Sequence, residues 1–391
     1  IENIASKLVT RLLVFIEYWR YNLSNNISTV KKSILKALTD GGIYLSFNLF
    51  NRAIPFLLLP ILTSHIDPYG YGMIAVIALI TSIAMPVLGL CSNSVLYQRY
   101  FKMSDSEISR FINDCYKIIA VNTIVAMLLV VLFAGIIESY LKVSLFWFEI
   151  GIIIAALGMT STLTTTLFQI RKSSVSYGVF QLASILINVA LALVLVVLFE
   201  LSWQGRLSSL VVTAFIMAIV SIIINVRQGD LKAADFKQVS QISSIVRLGG
   251  VLIPNAISGW AILMVDRIVL TSLTTLEILG IYAIGLMIAQ LTDIFLGSVS
   301  RVCQPYLFEY GQVRDISRRI KVVQGMYLFI LVSLITSGVV FVIAPFIIEL
   351  MIDERYSSAI EVVGWLSLSY AFFNIGSVFL NLILLVEKNS L

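Results

Sequence analysis

The sequence predicts an all-α, polytopic integral membrane protein with about ten transmembrane helices in two pseudo-symmetric bundles. Three observations support this fold class: the composition, the length of the apolar segments and the distribution of positive charge. Of the 391 residues, 59% are hydrophobic and 13% are charged, and the mean hydropathy is +0.97. Soluble domains are about 45–50% apolar and about 25% charged. This composition excludes a cytosolic enzyme, a secreted domain and a disordered protein.

The apolar segments are long enough to cross a bilayer, because a helix needs about 20 apolar residues to span roughly 30 Å of hydrocarbon. Helices are required because lipid offers no partners for backbone polar groups. A β-barrel would instead show alternating segments of about ten residues. The ten predicted spans are 42–64, 72–95, 115–137, 145–169, 178–199, 207–226, 249–272, 280–302, 325–347 and 359–386.

The positive charges predict the orientation, since short cytoplasmic loops are enriched in lysine and arginine. With the N-terminus placed inside, 22 of the 27 basic residues fall on the cytoplasmic side. The outer loops hold Lys142, Arg206 and Arg355, while Arg52 and Arg267 lie within spans. We therefore predict a multi-pass protein with a cytoplasmic N-terminus.

Four parts of the chain can be distinguished. Residues 1–38 mix aromatic and basic residues, which is typical of an interfacial helix at an anionic leaflet and equally compatible with a poorly ordered cytoplasmic tail. Residues 39–226 form a predicted six-helix bundle, residues 227–248 a cytoplasmic linker, and residues 249–391 a second bundle with four helices.

An internal repeat with an offset of 208 residues supports two related halves. Gly41-Gly42 and Leu62-Thr63-Ser64 recur as Gly249-Gly250 and Leu270-Thr271-Ser272, each at the first span of a half. In each copy an acidic residue and a glycine–tyrosine turn follow, Asp67 in the first and Glu277 in the second. An even number of spans per half implies parallel repeats with a substrate site between them near mid-membrane.

The repeated segments carry a family resemblance. Residues 51–72 begin with Asn-Arg and end with Pro-Tyr-Gly-Tyr-Gly, and Pro254, Asp266-Arg267-Ile268 and Glu277 with Gly280 occupy the corresponding region of the second half. These motifs resemble the polysaccharide (O-antigen, Wzx-type) flippases of the multidrug/oligosaccharidyl-lipid/polysaccharide (MOP) exporter superfamily. The resemblance implies a bacterial inner-membrane protein with twelve helices, or in some members fourteen, so we expect that two lie beyond a truncated C-terminus.

Ionisable residues within the spans are the candidate site, because each costs about 2.5–3.5 kcal/mol at the bilayer centre. Arg52, Asp266, Arg267 and Asp293 are such residues, and Tyr44, Asn48 and Asn51 share one face of the first span with Arg52. A weaker polar stripe in the fifth span contains Gln181, Ser184 and Asn188. Such stripes face a bundle interior or a water-filled cavity.

The resemblance implies a lipid-linked oligosaccharide substrate whose diphosphate needs a cation. An arginine fork binds phosphate oxygens in bidentate fashion, so Arg52 and Arg267 are predicted diphosphate ligands, and Tyr44, Asn48 and Asn51 are predicted sugar ligands. Asp266 and Asp293 are candidates for ion coupling. Alternatively, the four charges form inter-helix ion pairs. Adjacent Asp266 and Arg267 point about 100° apart and so are not expected to neutralise each other, and Arg267, near the outer end of its span, could extend to the interface.

The predicted function is translocation of polyprenyl-diphosphate-linked oligosaccharide units by alternating access, with no enzymatic activity, catalytic residue, metal or cofactor. No ATP-binding loop of the Gly-x4-Gly-Lys type occurs in the sequence. Expected partners are the lipid-linked substrate, membrane lipids and other polysaccharide-assembly membrane proteins, and no nucleic acid. The alternatives are another exporter of the superfamily, namely a lipid II flippase or a multidrug antiporter, and thirdly a membrane-embedded polysaccharide polymerase or ligase.

Overall fold

The computed structural model describes residue 47 and residues 54–232, 240–311 and 316–387, and within these ranges the chain is helical and contains no strand. A π-helical segment, Leu193–Leu198, continues α7, and 3-10 segments occur at Tyr100–Lys102 and Glu354–Ala359. The α-helices are α1 (Leu59–His65), α2 (Pro68–Leu88), α3 (Ser92–Arg99), α4 (Asp105–Leu132), α5 (Ala134–Leu141), α6 (Leu145–Ile170), α7 (Ser174–Ala192), α8 (Ser202–Arg227), α9 (Ile242–Leu273), α10 (Leu276–Gly311), α11 (Ile316–Met351) and α12 (Ile360–Glu387).

Nine helices in the described ranges are long and apolar enough to cross a membrane. They correspond to the second to tenth predicted spans, and the prediction of a polytopic all-α membrane protein is confirmed. Most of the first predicted span, 42–64, lies outside the described residues, and α1 is its last part. The predicted interfacial segment 1–38 also lies outside them.

The predicted end of the second span, at residue 95, is wrong. The helix α2 ends at Leu88, where Gly89 forms the C-cap and Pro86 lies in the last turn. Leu90 and Cys91 then adopt left-handed backbone conformations, with φ of 47° and 49°. This turn separates α2 from the polar helix α3. The apolar segment of the sequence therefore continues past the point where the helix ends.

Several helices extend beyond the apolar segments that predicted them. The helix α4 begins at Asp105 rather than at residue 115, because Ser104 and Glu107 form a capping box that starts the helix in a polar stretch. Likewise, α11 covers Ile316–Met351 where the prediction was 325–347. The length of an apolar segment reflects the thickness of the hydrocarbon layer. The residue at which the helix begins depends instead on the capping residues.

The first helix of each predicted half packs against residues of the other half. Leu59 of α1 and its C-cap residue Ile66 lie in one buried cluster with Ile284, Ile348 and Tyr356. Conversely, Ile245 of α9 belongs to the cluster formed chiefly by α2, α4 and α6. The indole nitrogen of Trp260 in α9 donates a 2.9 Å hydrogen bond to the Ser82 hydroxyl of α2. The two segments that the linker separates are therefore interleaved through α1 and α9.

The helices α2 and α10 cross at two glycines whose contacts are reciprocal. A Cβ atom on Gly72 would lie 2.0 Å from the Leu276 carbonyl oxygen, and one on Gly280 would lie 1.9 Å from the Pro68 carbonyl oxygen. Gly72 and Gly280 are 208 residues apart, and so are Pro68 and Leu276. Since only glycine permits this backbone approach, the crossing has the geometry that a two-fold repeat with this offset predicts.

Hydrogen bonds near the crossing follow the same offset. Thr63 and Thr271 are buried, and each hydroxyl donates to the carbonyl four residues earlier, at 2.8 Å and 2.6 Å. The Asp67 carboxylate accepts from Gly70 N, and the Thr275 hydroxyl accepts from Ile278 N. The equivalent of Asp67 is thus Thr275 and not Glu277, because capping requires a side-chain oxygen at the residue before the helix and not a charge.

We call the end of the helices that carries the turns at 66–67 and 274–275 the outer end, because the charge distribution predicts that it faces the periplasm. The opposite end is held by ionic contacts around the linker. Arg171 donates two hydrogen bonds to the buried Asp230 carboxylate, which raises the pKa of Arg171 further above its usual range. Asp114 accepts from Ser240 Oγ at 2.9 Å and from Gln241 N at 2.7 Å. These contacts fix where the linker leaves α8 and enters α9.

Candidate functional site

A cavity of about 280 Å³ lies between α1, α2, α8, α9 and α10. It is bounded by helices from both sides of the linker. Its polar lining consists of Tyr71, Arg206, Arg267 and Gln290, and the other described lining residues are apolar. Among the described residues no carboxylate lines this cavity, so its charged groups are two arginines.

Part of the predicted site lies outside the described residues. This applies to Arg52 and to the three residues on its predicted helix face, Tyr44, Asn48 and Asn51. The described part of the same segment begins at Ile54, and Pro55 lines the cavity. The roles of these four residues stay predictions.

Arg267, a predicted diphosphate ligand, lies in the wall of the cavity, and its role as a ligand stays a prediction. Its side chain is 13% exposed and its Nη1 donates to the Leu263 carbonyl at 2.5 Å and contacts the Met264 sulfur. The guanidinium thus reaches back toward the middle of α9. The alternative expectation, extension to the outer interface, is wrong, because carbonyl and cavity contacts one turn earlier hold the side chain.

Asp266 is paired, contrary to the expectation that its neighbour points too far away. The Arg267 Nη1 atom lies 3.7 Å from Asp266 Oδ1, and Asp266 Oδ2 accepts from the Tyr282 hydroxyl of α10. The long, flexible Arg267 side chain bends back around the helix to reach Asp266, which a simple 100° rotation per residue does not consider. Since the pair is long and Asp266 has a second partner, Arg267 is incompletely neutralised.

Arg206 was expected in an outer loop, and that expectation is wrong. It lies in the first turns of α8, is half-buried and lines the cavity. Its Nη1 donates to Asn188 Oδ1 at 2.7 Å and to Ser209 Oγ at 3.2 Å. Both partners are neutral, and no carboxylate of the described residues lies within ion-pair distance of Arg206. The Asn188 stripe of the fifth span was the one signal in the sequence that pointed to this position.

Tyr71 was not predicted as a site residue. Its side chain is 4% exposed and lines the cavity, and its ring packs edge-on against Tyr356 at 5.4 Å. Its hydroxyl is buried without a hydrogen-bond partner among the described residues. It is close enough to Arg206 to interact electrostatically. A buried hydroxyl without a partner costs about 1–3 kcal/mol, so a bound ligand is a physical reason to retain it.

Asp293 does not line the cavity. Its carboxylate accepts a 3.0 Å hydrogen bond from Asn374 Nδ2 of α12. Gln290, one turn earlier in α10, is the residue of this helix that reaches the cavity as a polar group. The predicted ion-coupling role of Asp266 and Asp293 stays a prediction.

The backbone positions of Arg206, Tyr71 and Arg267 lie nearer the outer ends of their helices than the middle, whereas the repeat argument placed the site near mid-membrane. Arg206 is four residues from the start of α8 and Tyr71 is three residues from the start of α2, so both lie within about 6 Å of that end. Arg267 is six residues from the end of α9, or about 9 Å. The Gly72–Gly280 crossing lies beside Tyr71, so α2 and α10 are in close backbone contact next to the cavity.

The arrangement can bind an anion. Two guanidinium groups, a free hydroxyl donor and a glutamine amide face a space with apolar walls, where charge-assisted hydrogen bonds are stronger than in water. Within the described residues there is no group of three histidine, cysteine or acidic side chains that could hold a metal ion. The lining therefore offers donors for an oxyanion.

Residues 37–311 match the family described as "Polysaccharide biosynthesis protein". The match covers more than half of the chain, and the chain belongs to this family. An "Uncharacterized membrane protein" of Haemophilus influenzae is 23% identical over 276 residues, which are 70% of this chain, and the chain spans 66% of that relative's length. The resemblance predicted from the motifs around residues 51–72 and 266–280 is confirmed.

Similar solved structures are transporters. An inward-facing multidrug resistance MATE family transporter of the MOP superfamily aligns with a TM-score of 0.61 and 11% identity, covering 87% of this chain and 83% of that one. A mutant of the Vibrio cholerae MATE transporter VcmN aligns with a TM-score of 0.47 and 15% identity, covering 89% and 81%. The first comparison shows that this chain has the MATE fold.

Proposed function

We propose that the protein is a flippase that moves polyprenyl-diphosphate-linked oligosaccharide repeat units from the cytoplasmic to the periplasmic leaflet by alternating access. The observation that carries the proposal is Arg206, a cation inside the cavity that no carboxylate of the described residues neutralises. Membership of the polysaccharide biosynthesis family and the MATE fold support a transport role. In this proposal the glycan is an O-antigen-type repeat unit of lipopolysaccharide.

The charge and shape of the cavity suit the linkage region of such a lipid. Each phosphate of a diphosphate presents pairs of acceptor oxygens that the planar arginine fork binds in bidentate fashion. Arg206 and Arg267 come from different helices, α8 and α9, so they could hold the two phosphates separately. The apolar residues of α1, α2 and α10 suit the adjoining isoprenoid carbons.

The remaining predicted residues extend this site. Arg52, with Tyr44, Asn48 and Asn51, precedes the segment in which Pro55 lines the cavity, and we propose that these residues bind diphosphate and sugars farther from the outer end. Asp266 is the preferred ion-coupling candidate because it already contacts Arg267, so protonation of Asp266 would free that cation. Asp293 is the second candidate.

The proposal includes the setting of the protein. We propose an inner-membrane location with a cytoplasmic N-terminus, two halves at 39–226 and 249–391 joined by the linker 227–248, and contacts with other polysaccharide-assembly proteins. Support for the orientation comes from the basic side chains at the linker end, such as Arg171, Lys172 and Arg227.

Transport of purified protein in proteoliposomes tests the proposal. We expect that a fluorescent polyprenyl-diphosphate saccharide moves between leaflets at least about tenfold faster than in protein-free vesicles, measured by its accessibility to an impermeant quencher. A neutral glycolipid with the same chain should show no acceleration. Movement of lipid II alone would support the narrower lipid II alternative, and uptake of cationic dyes without lipid movement would support the multidrug alternative and contradict the proposal.

The Tyr71→Phe variant separates a binding role of the hydroxyl from a structural one. We expect the free energy of unfolding to increase by about 1 kcal/mol, because an unpaired buried hydroxyl is removed, while transport of the diphosphate lipid falls several-fold. Thermal unfolding in detergent and the vesicle assay measure the two effects. Tyr356→Phe is the control, since that hydroxyl donates to Ile66 O at 2.8 Å and its loss should destabilise the protein. If Tyr71→Phe were destabilising, its hydroxyl would have a structural partner.

A further inference from the structure

The outer end of α1 is held by Arg355, a basic residue of the predicted second half, which follows the linker in the sequence. Arg355, between α11 and α12, donates from Nη2 to the carbonyls of Thr63 at 3.0 Å and Ser64 at 3.1 Å. Its Nε donates to Asp353 at 2.7 Å, which aims the guanidinium and lowers the pKa of that carboxyl. These carbonyls belong to the last turn of α1, where backbone acceptors have no partners within the helix.

The outer end of α9 is held in the same way from the other direction. Lys142, between α5 and α6, donates from Nζ to the Thr274 carbonyl at 2.5 Å. Thr274 is the C-cap of α9. A cation at a helix C-terminus also interacts favourably with the helix dipole. Each basic residue thus caps a helix that the linker separates from its own segment.

The two contacts are related by the repeat. Lys142 lies in the loop between the third and fourth predicted spans, and Arg355 lies in the loop between the ninth and tenth. Lys142 contacts the end of the seventh predicted span, and Arg355 contacts the end of the first. Together with the reciprocal Gly72 and Gly280 contacts, they connect the outer ends of the two halves through corresponding loops, although the contacting residues themselves are not exactly 208 residues apart.

Lys142 has a backbone conformation that a lysine adopts at a cost. Its φ is 54°, in the left-handed region, where glycine is the least strained residue. Its side chain is exposed, so packing does not explain the residue type. The contact with Thr274 does explain it, because it needs a long cationic side chain at this turn.

We propose that Lys142 and Arg355 are paired latches that hold the outer end of the cavity closed, and that release of both permits the outer end to open. This inference concerns the conformational change and does not depend on the identity of the cargo. The latches bind backbone carbonyls, which a change of helix position breaks without leaving a buried charge. They are therefore suited to repeated opening and closing.

Distance measurement between spin labels at the outer end tests the latches. Labels on Phe146→Cys and Leu350→Cys, at exposed positions of α6 and α11, report the separation of the two halves, in a Cys303→Ser background that keeps the buried Cys91 and Cys115. In Lys142→Gln/Arg355→Gln we expect the population with the longer distance to increase roughly tenfold over wild type, since three charge-assisted bonds to carbonyls are lost. Each single variant should have a smaller effect.

Lys172→Gln is the matched control. Lys172 is exposed and also left-handed, with φ of 55°, but it lies at the opposite end. We expect it to leave the distance distribution unchanged, and Arg355→Lys to restore most of the closed population. An unchanged distribution in the double variant would overturn the latch. Failure of lipid transport in vesicles would leave this distance measurement valid, so the two proposals fail separately.

Discussion

Replacement of Arg206 by glutamine is expected to lower the transport rate of the diphosphate lipid about 100-fold, because loss of one partner from a charge-assisted buried contact costs about 2–5 kcal/mol. The fold should survive, since glutamine retains an amide donor for Asn188 and no ion pair with a described carboxylate is lost. The vesicle transport assay and thermal unfolding measure both quantities. Arg206→Lys should recover part of the rate, because it keeps the charge but not the bidentate fork.

The control for this prediction is Arg227→Gln. Arg227 is exposed in the last turn of the same helix, so it should alter neither transport nor stability measurably. Unchanged transport in Arg206→Gln would remove Arg206 from the site. A loss of transport that merely follows a lower unfolding temperature would make Arg206 a structural residue.

Replacement of Gly280 by alanine is expected to destabilise the protein strongly, because the added methyl group clashes at the crossing of α2 and α10. The new Cβ would lie 1.9 Å from the Pro68 carbonyl oxygen, and both atoms belong to helix backbones that cannot move independently. Overpacking costs typically 1–3 kcal/mol and occasionally more, so we expect destabilisation of about 3 kcal/mol and a loss of transport. Gly72→Ala should behave alike, because its contact with Leu276 is reciprocal.

Gly338→Ala is the control for the crossing. No atom lies within 4 Å of a Cβ built on Gly338 in α11, so alanine should stabilise that helix by up to about 1 kcal/mol. Thermal unfolding of the three variants in detergent decides the question. If Gly280→Ala unfolded at the same temperature as wild type, α2 and α10 would not be packed at this distance.

The transmembrane helices could be predicted because apolar length alone is nearly sufficient. The second to tenth spans correspond to observed helices, whereas their ends depend on local details such as the capping box at Ser104 and the left-handed turn at Cys91. The repeat offset was visible in the two Leu-Thr-Ser segments. The capping residue is Asp67 in the first copy and Thr275 in the second, and both accept a backbone hydrogen bond at the start of a helix. At these two equivalent positions the capping hydrogen bond is retained, whereas the charge of the side chain is not.

The site could be predicted only in part, because burial depends on packing between distant segments. Arg267 was expected from its place inside a span. Arg206 was assigned to a loop because it immediately precedes the predicted apolar span that begins at residue 207. Only the three-dimensional arrangement of α8 beside the helices that line the cavity shows that it faces this space. No pattern in the sequence could reveal that the Tyr71 hydroxyl lacks a partner, since this requires the positions of all surrounding atoms.

The central claim is that the two arginines form a diphosphate site, and relative affinity tests it most directly. Purified protein is titrated with a polyprenyl-diphosphate saccharide and with the otherwise identical monophosphate. The account predicts that wild type binds the diphosphate at least about tenfold more tightly, since a second arginine contact is worth more than 1.4 kcal/mol, and that Arg206→Gln loses this preference. Equal affinity of the wild-type protein for both lipids would contradict it.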